Sequence, residues 1–239
     1  MSGTNVALVT GAASGLGAAI SDRLRDDGYD VVGLDVDATE PWIEQADVRD
    51  DAAVARVVAS AAARGPLTAL VLSAAVETRS SIVDCTDEDW QRVIDVNLKG
   101  PFLVMRHVVP HMVEAGGGSI VAMGSTLGSI VAPQFPAYCA SKFGLTNLCK
   151  QVAIEHAPDG VRVNVLSLGP TDTGLFVRLT DMAPDPEAVR AGVAANLPMK
   201  RLGRASEVCA AVAFLLSEGA AWTSGAVLPL DGGLAARRQ

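Results

Sequence analysis

The sequence predicts a doubly wound α/β fold: a mostly parallel sheet of about seven strands with helices on both faces. Three observations predict it. Short apolar runs at 6–9, 31–34, 67–76, 119–123, 161–166 and 226–230 alternate with segments of helical periodicity, and that alternation builds parallel sheets. The run 67–76 is long and predominantly apolar, as befits a strand covered on both faces. The first run leads directly into Thr10-Gly11-Ala12-Ala13-Ser14-Gly15-Leu16-Gly17, a glycine-rich turn opening a helix.

Composition narrows the class. The chain has 239 residues, 49% of them hydrophobic, with a mean hydropathy of +0.30. No apolar run approaches the roughly 20 residues needed to span a bilayer. The first residues carry no basic leader pattern, so a cytoplasmic protein is expected. A net charge of −8 and no basic tract argue against nucleic acid as a partner. Cys85, Cys139, Cys149 and Cys209 show no metal or redox spacing and are expected as reduced thiols. No linker or repeat interrupts the chain, so one domain over 1–239 is expected, with a lid of short helices at 174–198 around Pro184, Pro186 and Pro198.

The glycine-rich turn predicts a phosphate cradle. A helix with Leu16, Ile20 and Leu24 on one face follows and stops at Gly28, and both the free N–H groups and the dipole of such a helix start favour an anion. The second strand ends in Asp35, eighteen residues past Gly17. That place suits a carboxylate that accepts hydrogen bonds from an adenosine ribose; the alternative is a solvated turn acid beside Asp37. From Asp37 to Ala46 there is room for about one helical turn near Pro41, and Asp47-Val48 reads as the end of a short third strand. A helix over 52–63 is closed by Gly65-Pro66.

Thr86-x-x-Asp89 caps a long helix through Val109. Within it, Pro101 has no N–H, which leaves the carbonyl of Asn97 without its intrahelical partner. His107, His111 and Glu114 share a helix face and read as a solvated or subunit-contact surface rather than a metal site. Ser125 follows the strand at 119–123, and Tyr138 opens a helix on which Lys142 lies one turn further along the same face. A phenol near an ammonium is a candidate general acid/base, and the Ser125 hydroxyl is a candidate partner for a substrate oxygen. The chain closes with Ser167-Leu168-Gly169-Pro170-Thr171-Asp172-Thr173, a helix capped by Ser206 and running through Leu216, a last strand, and Asp231-Gly232-Gly233.

In this order and spacing, Thr10-Gly-x-x-x-Gly-x-Gly17, Asp47-Val48, Asn97, Ser125, Tyr138-x-x-x-Lys142, Gly169 with Thr173, and Asp231-Gly-Gly resemble the short-chain dehydrogenase/reductase family over essentially the whole chain. The resemblance implies a Rossmann-type fold, NAD as cofactor and a catalytic tetrad of Asn97, Ser125, Tyr138 and Lys142. Ser125 would hold the substrate oxygen and Tyr138 would exchange its proton. Lys142 would lower the Tyr138 pKa and grip the nicotinamide ribose, and the Asn97 carbonyl would hold a water leading to solvent. Cofactor contacts are implied at Gly11, Ser14, Gly15, Leu16, Gly17, Asp35, Asp47, Val48, Ser73, Ala74, Tyr138, Lys142, Gly169, Thr171 and Thr173. The implied assembly is a homotetramer.

Three departures from the family pattern stand out. Leu72-Ser73-Ala74-Ala75 replaces Asn-Asn-Ala-Gly, Leu168-Gly169 replaces Pro-Gly and is expected to loosen its turn, and the segment between Asp35 and Asp47 is short. Leu127, Ile130, Val131, Phe135, Phe176 and Val177 are expected as pocket walls and suggest a small apolar alcohol or ketone as substrate. A 3-oxoacyl thioester reductase, a non-enzymatic dinucleotide sensor, and an epimerase or lyase that uses its cofactor transiently are the alternatives.

Overall fold

The computed structural model describes residues 4–236. Its seven strands form one sheet in the order β3-β2-β1-β4-β5-β6-β7, every pairing parallel. They are β1 (Val6–Thr10), β2 (Asp30–Asp35), β3 (Ile43–Gln45), β4 (Leu67–Leu72), β5 (Gly118–Met123), β6 (Val161–Leu168) and β7 (Val227–Leu230). The chain steps outward from β1 to β3, returns to the other side of β1 with β4, and continues to β7. The reversal between β1 and β4 opens a crevice at the carboxyl ends of the strands, where ligands of such sheets bind.

Alternating side chains of the strands feed two cores. On one face Val6, Leu8, Leu70, Ile120 and Val163 meet α2 (Asp51–Arg64), α4 (Gly100–Glu114) and α5 (Pro136–Glu155), through Val54, Val57, Val108, Met112 and Leu145. On the other, Val9, Val71, Val121 and Leu166 meet α1 (Gly15–Asp26) and α8 (Ala205–Leu216), through Ile20, Leu24, Val212 and Leu215. All of these side chains are at most 1% exposed, so truncating a single Leu among them is expected to cost about 2–5 kcal/mol.

Several boundaries differ from the sequence reading, each for a physical reason. The link between Asp37 and Ala46 holds a single hydrogen-bonded turn at Pro41-Trp42, in which Ile43 donates to the Glu40 carbonyl at 2.9 Å, and no helix. Ile43 passes straight from that turn into pairing with Gly33. Strand β3 ends at Gln45, two residues before Asp47-Val48, which lie in the approach to α2. Strand β4 stops at Leu72 because the Thr10 hydroxyl accepts hydrogen bonds from the N–H groups of both Ser73 and Ala74, each at 3.1 Å. Those two donors are drawn out of the ladder.

The long helix predicted from Thr86 is interrupted. Helix α3 (Asp87–Ile94), capped by the Thr86 hydroxyl, passes into a π-helical segment, Asp95–Lys99, before α4. Gly100 donates its N–H to the Asp95 carbonyl, a wider loop than an α-helix makes, immediately before Pro101. Such π-turns are one-residue insertions and recur at functional sites. Helix α8 starts from Arg204 rather than Ser206, and the Arg204 N–H donates to Glu207 Oε2 at 2.8 Å. The 174–198 stretch holds α6 (Gly174–Asp181) and α7 (Pro186–Asn196). Strand β6 continues through Leu168, paired with Leu230, so the Leu168-Gly169 turn is held by the ladder instead of loosened.

Candidate active site

Helix α5 brings the central residues together. Pro136 stands at its first position, where a fixed φ and a missing N–H are tolerated, and this start places Tyr138 and Lys142 one above the other. Both are buried, Lys142 at only 3% exposure. The Lys142 ammonium donates to the Met123 carbonyl at the end of β5, 2.8 Å away, and lies 5.6 Å from the centre of the Tyr138 ring. Ser125 begins a short turn after β5. Its Oγ accepts the Leu127 N–H at 3.1 Å, and its hydroxyl lies close enough to the Tyr138 phenol to favour the phenolate. A Cβ on Gly128 in that turn would lie 3.0 Å from the Lys142 carbonyl, so the turn and α5 approach closely only because position 128 is bare.

Asn97 sits fully buried in the π-segment and acts through its side chain. Its Oδ1 accepts the Val76 N–H at 2.9 Å, and its Nδ2 donates to the Val76 carbonyl at 2.8 Å and to Ser141 Oγ at 3.2 Å. Ser141 in turn donates to the Tyr138 carbonyl at 2.8 Å. One amide therefore ties the loop after β4 to the first turns of α5. With Thr10 holding Ser73 and Ala74, this anchors the loop without the asparagine that the family pattern has there.

A cavity of about 910 Å³ runs along this edge of the sheet. Gly11, Ser14, Gly15, Leu16, Asp35, Asp47, Val48, Ser73 and Ala74 line one end, and Ser125, Tyr138, Lys142, Gly169, Thr171 and Thr173 the other. Two sequence-predicted residues do not face it. Asn97 lies behind Val76, and Gly17 is consumed in packing, since a Cβ there would fall 1.9 Å from the Gly11 carbonyl oxygen. Of the expected pocket walls, Leu127, Phe135 and Phe176 line the cavity while Ile130, Val131 and Val177 do not; Val131 is 72% exposed.

The donor set of the first end fits a dinucleotide. Ser14 stands at the N-cap of α1 but makes no side-chain cap bond, which leaves first-turn N–H groups for an anion. Gly11 and Gly15 both adopt positive φ, and a Cβ on them would strike Ala74 and Gly174 at 2.8 and 2.9 Å. Only glycine lets the β4 loop and the start of α6 close over the turn. Asp35 accepts the Ala13 N–H at 2.9 Å and the Asp37 N–H at 3.2 Å, which aims its carboxylate at the same turn.

Burial dominates the electrostatics. It raises the Tyr138 pKa, with the Glu77 carboxyl adding to the rise and the Ser125 hydroxyl opposing it. It pushes Lys142 down to about 8, against the charges of Cys149 and Glu77. The expected lowering of the Tyr138 pKa by Lys142 is absent: burial of the phenol dominates, and only the Ser125 hydroxyl opposes the rise.

Sequence reasoning missed the charged wall of the cavity: Arg49, Glu77, Arg79, Arg92 and Arg178. Burial pushes Glu77 up to about 7, against Arg178 and Lys142. The available signal was its place at the carboxyl edge, five residues beyond the end of β4. Among the described residues no cluster of three or more His, Cys, Asp or Glu is arranged for a metal ion, and His107 contacts Asp51 at 2.7 Å.

Known proteins share this framework. A family model described as "Enoyl-(Acyl carrier protein) reductase" matches residues 11–235. The cis-4-hydroxycyclohexanecarboxylate dehydrogenase of Sinomonas cyclohexanicum is 38% identical, over 97% of this chain and 96% of its own. The D-threitol dehydrogenase of Mycolicibacterium smegmatis is 37% identical, over 95% and 92%. The ligand-free aldohexose dehydrogenase of Thermoplasma acidophilum superposes with a TM-score of 0.94 at 31% identity, covering 99% of this chain and 96% of that one.

Glu77 makes the stability of the fold depend on pH. Its folded pKa of about 7 lies above the ordinary 4.5, so the folded state holds the proton more tightly than the unfolded state. The stability this supplies is full below about pH 4.5 and is lost as pH rises through 7. Glu77→Gln removes the titration. Discounted for partial exposure, the variant is expected to gain on the order of 1–2 kcal/mol over wild type at pH 8, or a few degrees in Tm. Thermal denaturation at pH 8 and pH 5 checks this. An offset that is the same at both values contradicts it.

Proposed function

Because the chain belongs to the short-chain dehydrogenase/reductase family, we propose that it transfers a hydride between NAD(H) and a secondary alcohol or ketone, with Tyr138 as general acid/base. Members of the family act on alcohols and ketones with a nicotinamide cofactor. The observation that carries the reading is the stack of Tyr138 and Lys142 beside Ser125, at one end of a cavity whose other end is an uncapped glycine-rich helix start.

The bound nicotinamide supplies hydride donation or acceptance. The chain supplies the rest. Ser125 donates a hydrogen bond to the substrate oxygen and holds it beside the phenol. In reduction Tyr138 gives its proton to that oxygen, and in oxidation it takes the proton from the alcohol. A protonated Tyr138 is ready for reduction at neutral pH, whereas oxidation needs the phenolate and gains as pH rises. Lys142, still charged at neutral pH, stabilises the phenolate and can return a proton to it. Asn97 keeps α5 in register and offers its carbonyl to a water leading outward. Gly11, Ser14, Gly15 and Leu16 hold the pyrophosphate, and Asp35 the adenosine ribose. Asp47, Val48, Ser73 and Ala74 flank the adenosine, and Gly169, Thr171 and Thr173 the nicotinamide amide.

Leu127, Phe135, Leu175 and Phe176 give the substrate an apolar bed. Relatives named for hydroxycyclohexanecarboxylate and threitol support a small hydroxylated substrate. The description of the matching family model names an acyl-carrier substrate, though for reduction of a C=C bond rather than a ketone, and a second reading is reduction of a 3-oxoacyl thioester. Both belong in one screen of alcohols, ketones and thioesters for formation or loss of reduced cofactor.

Cofactor preference rests on Asp35. The 2′-phosphate of NADP, at roughly −2 charge, would meet this carboxylate with Asp37 beside it. Arg49, on the same cavity, is held by Asp47 through three side-chain hydrogen bonds. Like charges a few ångströms apart cost several kcal/mol at an effective dielectric near 20. NAD(H) is therefore expected to be preferred by at least about 100-fold in kcat/KM, or about 2.7 kcal/mol. Steady-state rates with both cofactors on one substrate measure it, and equal efficiencies would show that Asp35 does not face the ribose.

We also propose a homotetramer. Phe102 and Val113 on α4 and Phe143 and Ile154 on α5 are apolar and exposed on the isolated chain, Ile154 at 79%, and closed symmetric assembly would cover them. Light scattering is expected to give four times the 24.6 kDa chain mass. A monomer at micromolar concentration would overturn this.

A further inference from the structure

The wall of the cavity holds a half-buried carboxyl that hydride transfer by Tyr138 does not use. Glu77 lies in the loop beyond β4 and lines the cavity with Ser125, Tyr138 and Lys142. Its neighbour Val76 is pinned through both its N–H and its carbonyl by Asn97, so the side chain starts from a fixed point. One carboxyl oxygen, Oε1, is shielded from solvent and has no hydrogen-bond partner among the described residues. Arg178 of α6 and the Lys142 ammonium are near enough to act on it by charge. No ion pair forms with either among the described residues, although surface arginines elsewhere in the chain pair readily.

A half-buried carboxyl with neither oxygen paired is unusual, because unpaired acceptors are costly where water is scarce. A structural role would show as a bond to backbone or to Arg178, and neither is made. What the arrangement lacks is a donor, and since Oε1 is sealed off even from the cavity, the oxygen a ligand can meet is the less shielded Oε2, which likewise accepts no bond among the described residues. Leu127, Phe135 and Leu175 nearby supply none. The missing donor is better met by a neutral hydroxyl than by a charged group. An ammonium would enter a region already held positive by Lys142 and Arg178, and a carboxylate would oppose Glu77 itself.

We propose that Glu77 is a specificity-determining residue that accepts a hydrogen bond from a second hydroxyl of the substrate, so that diols and polyols are preferred over the corresponding mono-alcohols. This rests on the hydride-transfer reading above and sharpens its substrate class. The apolar bed then holds the carbon frame, Ser125 and Tyr138 the reacting oxygen, and Glu77 the oxygen that does not react. A site built to pair a hydroxyl rejects the analogue without it far more strongly than an apolar pocket rejects a missing methylene.

The test compares wild type, Glu77→Ala and Glu77→Gln, each confirmed as folded by its thermal transition. Two pairs of probes share a carbon frame: cyclohexane-1,2-diol with cyclohexanol, and butane-2,3-diol with butan-2-ol. Wild type is expected to favour the diol in kcat/KM by about tenfold or more. In Glu77→Ala the diol-to-mono-alcohol ratio is expected to fall by about 10- to 100-fold. Glu77→Gln, which keeps an acceptor oxygen, is expected to retain part of it. A ratio unchanged in Glu77→Ala, or absent in wild type, overturns the proposal, as does an equal loss on both alcohols, which would place Glu77 behind Tyr138 and Lys142 instead. Diol-induced shifts in Tm, measured with cofactor present, separate this from the underlying reaction. If neither alcohol is turned over yet the diols stabilise wild type and not Glu77→Ala, hydride transfer fails and the Glu77 site stands. If the diols stabilise neither protein, the Glu77 site fails.

Discussion

The Asn97 side chain bonds at once to both backbone groups of Val76 and to Ser141. Through these contacts the loop leaving β4, the π-segment between α3 and α4, and the first turns of α5 become one unit. The sheet alone would not fix these pieces, because β4 ends at Leu72 and Tyr138 lies on a helix above it. A buried amide with all its partners in place is well suited to this, since losing any one contact would leave a desolvated group unpaired. Pro101 and the wider π-turn explain why Asn97 turns inward at this position rather than continuing an amphipathic helix surface.

On that fixed frame, burial shapes the chemistry. Tyr138 and Lys142 are both withdrawn from water, and each is pushed toward its neutral form. A carbonyl from Met123 holds the ammonium within hydrogen-bond distance of β5 while it remains beside the ring. Desolvation of this kind places a phenol and an amine where modest changes in local charge move protons. Glu77 adds a third ionisable group to the same wall, and the negative charge of its carboxylate bears on both of the others.

Much of this was legible in the sequence, because the features concerned are local and physically demanding. A strand followed at once by bare glycines and an apolar helix face has few other uses. Tyr138 and Lys142 four apart after Pro136 are neighbours on any helix. The seven-stranded parallel sheet followed from apolar runs that alternate with helical periods. The misreadings arise where a distant side chain decides. Strand β4 looks apolar to Val76, yet the Thr10 hydroxyl, more than sixty residues away, takes its next two donors. Ile130 and Val131 lie in irregular backbone, where no period assigns a face. Glu77 went unremarked because its interest lies in lining the cavity without a hydrogen-bond partner, which residue type and spacing do not encode.

The proton role of Tyr138 is tested most directly by Tyr138→Phe, which keeps the ring that packs edge-on against Phe135 and removes only the hydroxyl. General acid/base action contributes about 10²–10⁴-fold in rate. On the best substrate of the alcohol screen, kcat is expected to fall by at least about 100-fold, while cofactor binding, read by fluorescence titration, stays within a few-fold of wild type. A Phe variant that keeps more than about a tenth of the wild-type kcat would contradict Tyr138 as the proton carrier.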